Sequence, residues 1–319
     1  MSPLLPALIS AAVAALALAW LRRGGRLPHA HANARSLHHG AVPRGGGLAI
    51  WIGWAAGVAL LPGPRPWLWP LLALVAISLF DDRHGMPVVV RLLVQVAAAI
   101  AWLLLAGPVP DFAILALIVA AVVWMANLYN FMDGSDGLAG TMALTGFGAY
   151  ALAAWWAGSA RAPLLLALAA AVLPFLVANW PPARIFLGDV GAVPLGFLAA
   201  VFGVEGRLEG WWPSWFPLLV FLPFVADASV TLARRAVAGE RIWSAHRDHY
   251  YQRLVRLGFG HGGALALYAT VMLGTAASAL AALARAPGAG VYLLAEWAAV
   301  LALLFAAVGN RWRSRAGDV

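Results

Sequence analysis

Long apolar runs dominate this chain, and its polar residues are gathered into short breaks between them. The runs fall at about 3–21, 47–61, 67–80, 92–106, 112–132, 140–157, 163–180, 192–204, 214–232, 263–284 and 291–309. None alternates apolar and polar positions as a half-buried strand or a barrel staple would. Each therefore reads as a helix, because a helix satisfies its own backbone polar groups in lipid. A span needs about 20 residues, with a range near 17–25. The runs at 67–80 and 192–204 are shorter and must borrow flanking residues. The expected fold class is all-α: a polytopic membrane bundle of about eleven transmembrane helices, with ten as the alternative, forming one domain over residues 1–319.

Composition agrees with that pattern. The chain has 319 residues, of which 63% are hydrophobic and 11% charged. A soluble domain averages roughly 45–50% apolar and about 25% charged residues. A soluble globule is excluded, and the lack of any cysteine excludes disulfide frameworks and cysteine-ligated metals.

Charge gives the orientation. All 21 basic residues are Arg. With eleven spans, 17 of them fall on one side, in 22–46, 81–91, 181–191, 233–262 and the tail, and 4 on the other (Arg65, Arg161, Arg207 and Arg285). An excess of Arg marks the cytoplasmic side, so the N-terminus is expected outside. The first run lacks a basic leading segment and is followed by Arg22 and Arg23, which reads as an uncleaved anchor. The net charge of +8 needs no nucleic acid to explain it, and none is expected as a partner. All eight His and most Asp fall on the Arg-rich side, so the candidate chemistry faces the cytoplasm at the membrane surface.

Four stretches carry that chemistry. Asp81-Asp82 ends the third run, where adjacent carboxylates raise one another's pKa and suit a base or a metal ligand; the plain alternative is a salt bridge to Arg83 or Arg91. Asn127, Asn130, Asp133 and Asp136 follow within ten residues; on a continuing helix the first three would fan round one end. Gly134 and Gly137 would let backbone approach a ligand. Such oxygen ligands suit Mg²⁺ or Mn²⁺. Asn179-Trp-Pro-Pro precedes Phe186-Leu-Gly-Asp189-Val-Gly191, in which Asn179 could read a base edge, Phe186 stack on it, and Asp189 stand exposed at the start of a span. His246-Arg247-Asp248-His249 lies in a basic loop fit for a di-anion. Arg44, in Pro43-Arg-Gly-Gly-Gly47, is a further phosphate arm. His29, His31, His38 and His39 read as a solvated loop. Asp227 reads as the partner of an Arg, and Glu296 has no evident role.

Taken in order, Pro43-Arg44-Gly-Gly, Asp81-Asp82, Asn127 to Leu138, Phe186 to Gly191 and His246 to His249 resemble the polyprenyl-phosphate N-acetylhexosamine-1-phosphate transferase family over roughly residues 40–260. The resemblance implies a bundle with a cytoplasm-facing cleft in the bacterial inner membrane. It implies that Asn130 and Asp189 bind Mg²⁺ (Mn²⁺ as substitute) and that Asp133 and Asp136 position a diphosphate. Asp81 or Asp82 would take the lipid phosphate's proton or help position it. Asn179 and Phe186 would form the uracil site, and His246, Arg247 and His249 would contact diphosphate or sugar, with Arg44 and Asn127 as further substrate contacts. The implied partners are a UDP-N-acetylhexosamine, undecaprenyl phosphate and membrane lipid, with a homodimer compatible. The His-Arg-Asp-His run is closest to the O-antigen-initiating branch. Two rivals were weighed on the residues: an ion-coupled secondary transporter, which wants midplane carboxylates, and a CDP-alcohol phosphotransferase, whose later Asp pair is missing.

Overall fold

A computed structural model describes residues 4–23, 29–30, 42–108, 111–241, 244 and 246–317. His31, His38 and His39 lie outside the described residues, and His29 is described only as backbone. The helices are α1 (Leu4–Arg23), α2 (Gly47–Val58), α3 (Leu68–His84), α4 (Val88–Ala106), α5 (Phe112–Phe131), α6 (Leu138–Trp156), α7 (Ala162–Asn179), α8 (Asp189–Leu208), α9 (Trp215–Val220), α10 (Leu222–Val237), α11 (Tyr250–Leu254), α12 (Gly260–Arg285) and α13 (Gly290–Gly317). A two-residue antiparallel pairing, β1 (His29–Ala30) with β2 (Val42–Pro43), is the one strand pair among the described residues.

Every apolar run forms helix, so the all-α polytopic expectation holds. Eight helical segments are long and apolar enough to cross a membrane unaided: α1, α4, α5, α6, α7, α8, the α11–α12 segment and α13. The two short runs gain length as required, α3 reaching 17 residues and α8 reaching 20. The run at 214–232 is two helices, α9 and α10, broken at Phe221 between Pro217 and Pro223. Neither proline can donate a backbone hydrogen bond to a continuous helix. With α2 at 12 residues and α3 at 17, these are the segments outside the eight that need neighbours to complete a crossing.

The bundle has a definite centre. The apolar window of α8 is 83% buried and that of α6 is 72%, against 17% for α13. Residues at the two ends of α8 meet different partners. At its far end Glu205 pairs with Arg161, Nε to Oε1 at 3.0 Å, and Arg161 also donates to the Pro64 carbonyl at 2.8 Å. At its first residue Asp189 meets Arg44 and Arg91. Twenty residues of helix put these ends about 30 Å apart. Each of these named pairs joins residues that loop counting puts on one side.

Candidate active site

The site is built on the start of α8. Phe186-Leu-Gly188 runs as extended backbone alongside Pro43-Arg44. Phe186 N–H donates to the Pro43 carbonyl at 2.8 Å, and the Phe186 carbonyl accepts from Gly45 and Gly46 at 3.1 and 2.9 Å. Gly188 has φ +79°, and a methyl group there would lie 2.7 Å from Asp82 Oδ2. Only glycine gives both the left-handed turn and that close approach.

Asp82 then caps α8. Its Oδ1 accepts from the Asp189 N–H and its Oδ2 from the Val190 N–H, both at 3.0 Å. A carboxylate is favoured there by the unpaired N–H groups and the helix dipole. Arg44 lies over the pair, its Nε 3.0 Å from Asp82 Oδ1 and its Nη2 on Asp189 Oδ1. Arg91 bridges the other side, 3.0 Å from Asp81 Oδ2 and 3.4 Å from Asp189 Oδ2. Asp133 enters from the α5–α6 connection and accepts from the Gly188 N–H, within electrostatic reach of Arg44, Asp189 and Asp82. Asp189 is buried here, not exposed as its glycine neighbours suggested.

Four carboxylates (Asp81, Asp82, Asp133, Asp189) thus face two guanidiniums (Arg44, Arg91), which leaves two formal negative charges. The apolar part of α3 ends at Phe80, so Asp81 and Asp82 project beyond it. Burial, with Asp189 nearby, pushes the Asp82 carboxyl up to about 6 despite Arg44. Burial and Asp189 also raise Asp81. Burial holds Asp133 well above the usual carboxylate range. Burial opposes the charge on Arg44, yet Asp189, Asp82, Asp133 and Asp81 together hold its guanidinium above the ordinary value.

A divalent cation matches that surplus. Among the described residues no three His, Asp or Glu side chains form a ready-made metal cage. Mg²⁺ does not require one, since it is commonly bound through one or two carboxylates plus waters and substrate phosphates. The oxygen-only donors Asp133 and Asp189 fit it. The half-buried Asn130 amide has no hydrogen-bond partner among the described residues and could join them.

Other expected contacts are placed differently. Helix α5 stops at Phe131, so Asp133 does not continue the fan of Asn127 and Asn130. Asn127 is tied sideways to Gln95 of α4 at 2.5 Å and to the Val123 carbonyl at 2.7 Å. Asn179 is buried, with both ends of its amide engaged: Oδ1 accepts from Gly137 N–H at 2.9 Å and Nδ2 donates to the Ile185 carbonyl at 2.8 Å. It therefore latches the two motif loops together from a buried position. Gly134 and Gly137 make room for protein: a methyl group on them would strike the Tyr251 hydroxyl at 2.1 Å and Leu265 at 2.7 Å. Asp136 accepts from the Ala183 N–H at 3.0 Å and faces His261 at 3.8 Å. Phe186 is half-buried beside Arg44.

The His246–His249 segment docks on the end of α5. His249 is buried, stacked on Phe131 at 6.1 Å between ring centres and 3.4 Å from Asp227 Oδ1. Asp227, fully buried, caps α11 by accepting from the Tyr250 and Tyr251 N–H groups at 2.9 and 3.0 Å, and it also takes the Tyr268 and Thr231 hydroxyls. It pairs with a His and not with an Arg. Tyr251 in turn donates to the Phe131 carbonyl at 2.9 Å. His246 and Arg247 are half-buried on the same segment. The expected bridge from Asp81 to Arg91 is present, while two participants carry no strong sequence signal: Asp227 as an anchor, and His261, whose Nδ1 lies 2.9 Å from the Ser135 hydroxyl. Each is isolated in sequence from the group it serves.

A family model described as glycosyl transferase family 4 matches residues 66–207. A probable undecaprenyl-phosphate N-acetylglucosaminyl 1-phosphate transferase of Bacillus subtilis is 27% identical over 71% of this chain and 69% of its own length. The undecaprenyl-phosphate alpha-N-acetylglucosaminyl 1-phosphate transferase of Escherichia coli K12 is 26% identical over 86% and 80%. A decaprenyl-phosphate N-acetylglucosaminephosphotransferase of Mycolicibacterium smegmatis is 28% identical over 82% and 77%. With its motifs assembled round the start of α8, the chain is thus similar, over most of its length, to polyprenyl-phosphate N-acetylglucosamine-1-phosphate transferases.

Proposed function

We propose that this protein transfers an N-acetylhexosamine-1-phosphate from a UDP-sugar to a polyprenyl phosphate, undecaprenyl phosphate in the first instance, and releases UMP. A phosphate oxygen of the lipid attacks the sugar-linked β-phosphorus. The bond from that phosphorus to the bridging oxygen breaks, and UMP leaves with the electron pair. The observation that carries this reading is the carboxylate surplus at the start of α8, flanked by Arg44 and Arg91. Nucleophile and leaving group are both anionic, so the site must screen their repulsion and hold them in line.

Asp189, Asp133 and Asn130 would hold Mg²⁺, with Mn²⁺ as substitute. When bound, the ion supplies charge neutralisation on the diphosphate. Arg44 and Arg91 reach the same carboxylates and are placed to exchange them for phosphate oxygens when donor enters. Asp82 keeps the start of α8 in register. Asp81, held by Arg91, is the carboxylate best placed to help position the lipid phosphate. The His246–His249 segment, with Arg247, covers the α5 end and would contact the diphosphate or sugar. Phe186 is placed to stack on the uracil.

The Arg asymmetry supports a bacterial inner-membrane setting with the N-terminus outside and the site on the cytoplasmic face, where soluble sugar nucleotide and lipid phosphate meet. Initiation of a cell-envelope glycan such as O-antigen follows from the sequence resemblance. The test is label transfer. Purified protein with labelled UDP-N-acetylglucosamine, undecaprenyl phosphate and Mg²⁺ should move label into organic solvent with stoichiometric UMP, and Asp189→Asn should abolish it. Full activity of Asp189→Asn, or no transfer from any UDP-N-acetylhexosamine tried, overturns the reading.

A further inference from the structure

A second anion site lies away from the α8 start, where the last helix leaves the apolar layer. Helix α13 is apolar up to about residue 309 and then reads Asn310-Arg311-Trp312-Arg313-Ser314-Arg315. Between α11 and α12 the chain makes one wide helical turn, Val255–Phe259, in which Gly258 is non-helical at φ +102°. A cleft of about 500 Å³ lies between that turn and α13, lined by Leu257, Gly258, Phe259, Arg311 and Arg315.

The arginines around it are held but not neutralised. Arg256 stacks over the Trp312 ring at 4.4 Å and Arg311 over Phe259 at 6.0 Å. Arg315 donates to the Arg256 carbonyl at 3.0 Å. None of these three has a carboxylate partner among the described residues. Arg253, the next guanidinium inward, differs in having Asp248 at 3.8 Å. Aromatic faces and a backbone carbonyl thus fix three guanidiniums while leaving their charge available. Arginine offers a planar fork that fits phosphate oxygens.

The walls say which phosphate. Leu257 and Phe259 are apolar, and Phe259 is 47% exposed. A freely soluble anion gains nothing from such walls. A lipid gains on both counts, its phosphate among the arginines and its acyl chains along the apolar flank of α13. Basic clusters directly beyond a membrane helix attract anionic lipid by roughly 1 kcal/mol per Arg, about a fivefold effect each.

We propose that the cleft between the Val255–Phe259 turn and Arg311–Arg315 is a binding site for an anionic glycerophospholipid, its phosphodiester held by the two arginines that line it, Arg311 and Arg315. The site is separate from the transfer reaction and does not depend on it. The test counts lipid bound to the intact protein. Detergent-purified wild type and the Arg311→Gln/Arg315→Gln variant are titrated with phosphatidylglycerol or phosphatidylcholine and weighed by native mass spectrometry. The wild type should retain phosphatidylglycerol over phosphatidylcholine, and the variant should bind it about 25-fold more weakly. Excess inorganic phosphate should not displace the lipid. Should the double variant aggregate, the single variants carry the same expectation at about fivefold each. Equal retention of both lipids, unchanged affinity in the variants, or displacement by inorganic phosphate would overturn the proposal. One-for-one displacement by undecaprenyl phosphate would also overturn it, making the cleft an acceptor site.

Discussion

The Asp82 carboxylate holds Asp189 by its backbone: one oxygen accepts from the Asp189 N–H and the other from the Val190 N–H, each at 3.0 Å. The side chain of Asp189 is thereby aimed by a residue 107 positions away. On the proposed reading, Asp82 would act on the metal through Asp189. Asp82→Asn should cost roughly 10–100-fold in apparent Mg²⁺ affinity or activity, as loss of an orienting partner does. Titrating Mg²⁺ against UMP release checks this, and an unchanged Mg²⁺ dependence would show that the cap does not orient the ligand.

Gly188→Ala tests the turn itself. The substitution meets a left-handed φ and Asp82 Oδ2 at 2.7 Å. It should cost about 1–3 kcal/mol of conformational strain and displace the Asp82 cap. Activity should fall further than for an alanine at Gly148, which meets nothing within 4 Å. Transfer assays on the two variants, with elution profiles as a folding control, decide it.

Asn179 is expected to behave as a structural latch. Removing its amide leaves the Gly137 N–H and Ile185 carbonyl unpaired in a buried setting, at about 1–3 kcal/mol each. Asn179→Ala and Asn179→Asp should both lower thermal stability, the latter because an acceptor would then face the Ile185 carbonyl. A variant of normal stability with selectively weakened UDP binding would return Asn179 to the nucleotide.

Asp227→Ala should be the most destabilising of these changes. It strands two backbone N–H groups, two hydroxyls and the His249 ring. Each buried donor left unpaired costs about 1–3 kcal/mol. The His246–His249 segment should come loose, seen as faster proteolysis near residue 250 and a lower unfolding temperature.

How far the sequence reached depended on whether partners were close along the chain. Hydropathy alone gave the helices, because lipid demands one apolar stretch per crossing. It could not see the break at Phe221, where prolines on both sides keep the run apolar while stopping the helix. Asp81, Asp82, Asp133, Asp136 and Asp189 were legible because charge is rare beside long apolar runs. Of their pairings, only that of Asp81 with Arg91 was offered by the sequence. Asp189 looked exposed between glycines, yet those glycines let backbone pack onto it. Asn179 looked like a ligand contact because a buried amide and a binding amide read alike until their partners are known. Arg91 and Asp227 stand alone in sequence, and only folding sets them beside Asp189 and His249.

The tie between Arg44, Asp82 and Asp189 spans 145 positions from first to last. A chain emerging from the ribosome places Arg44 and Asp82 long before the residue that both must grip. Until α8 has inserted, Arg44, just before α2, and Asp82 of α3 have no helix start to hold. Biogenesis therefore has a built-in order: competence for chemistry arrives with the eighth helix, and a nascent chain halted short of it sits in the bilayer as an inert precursor.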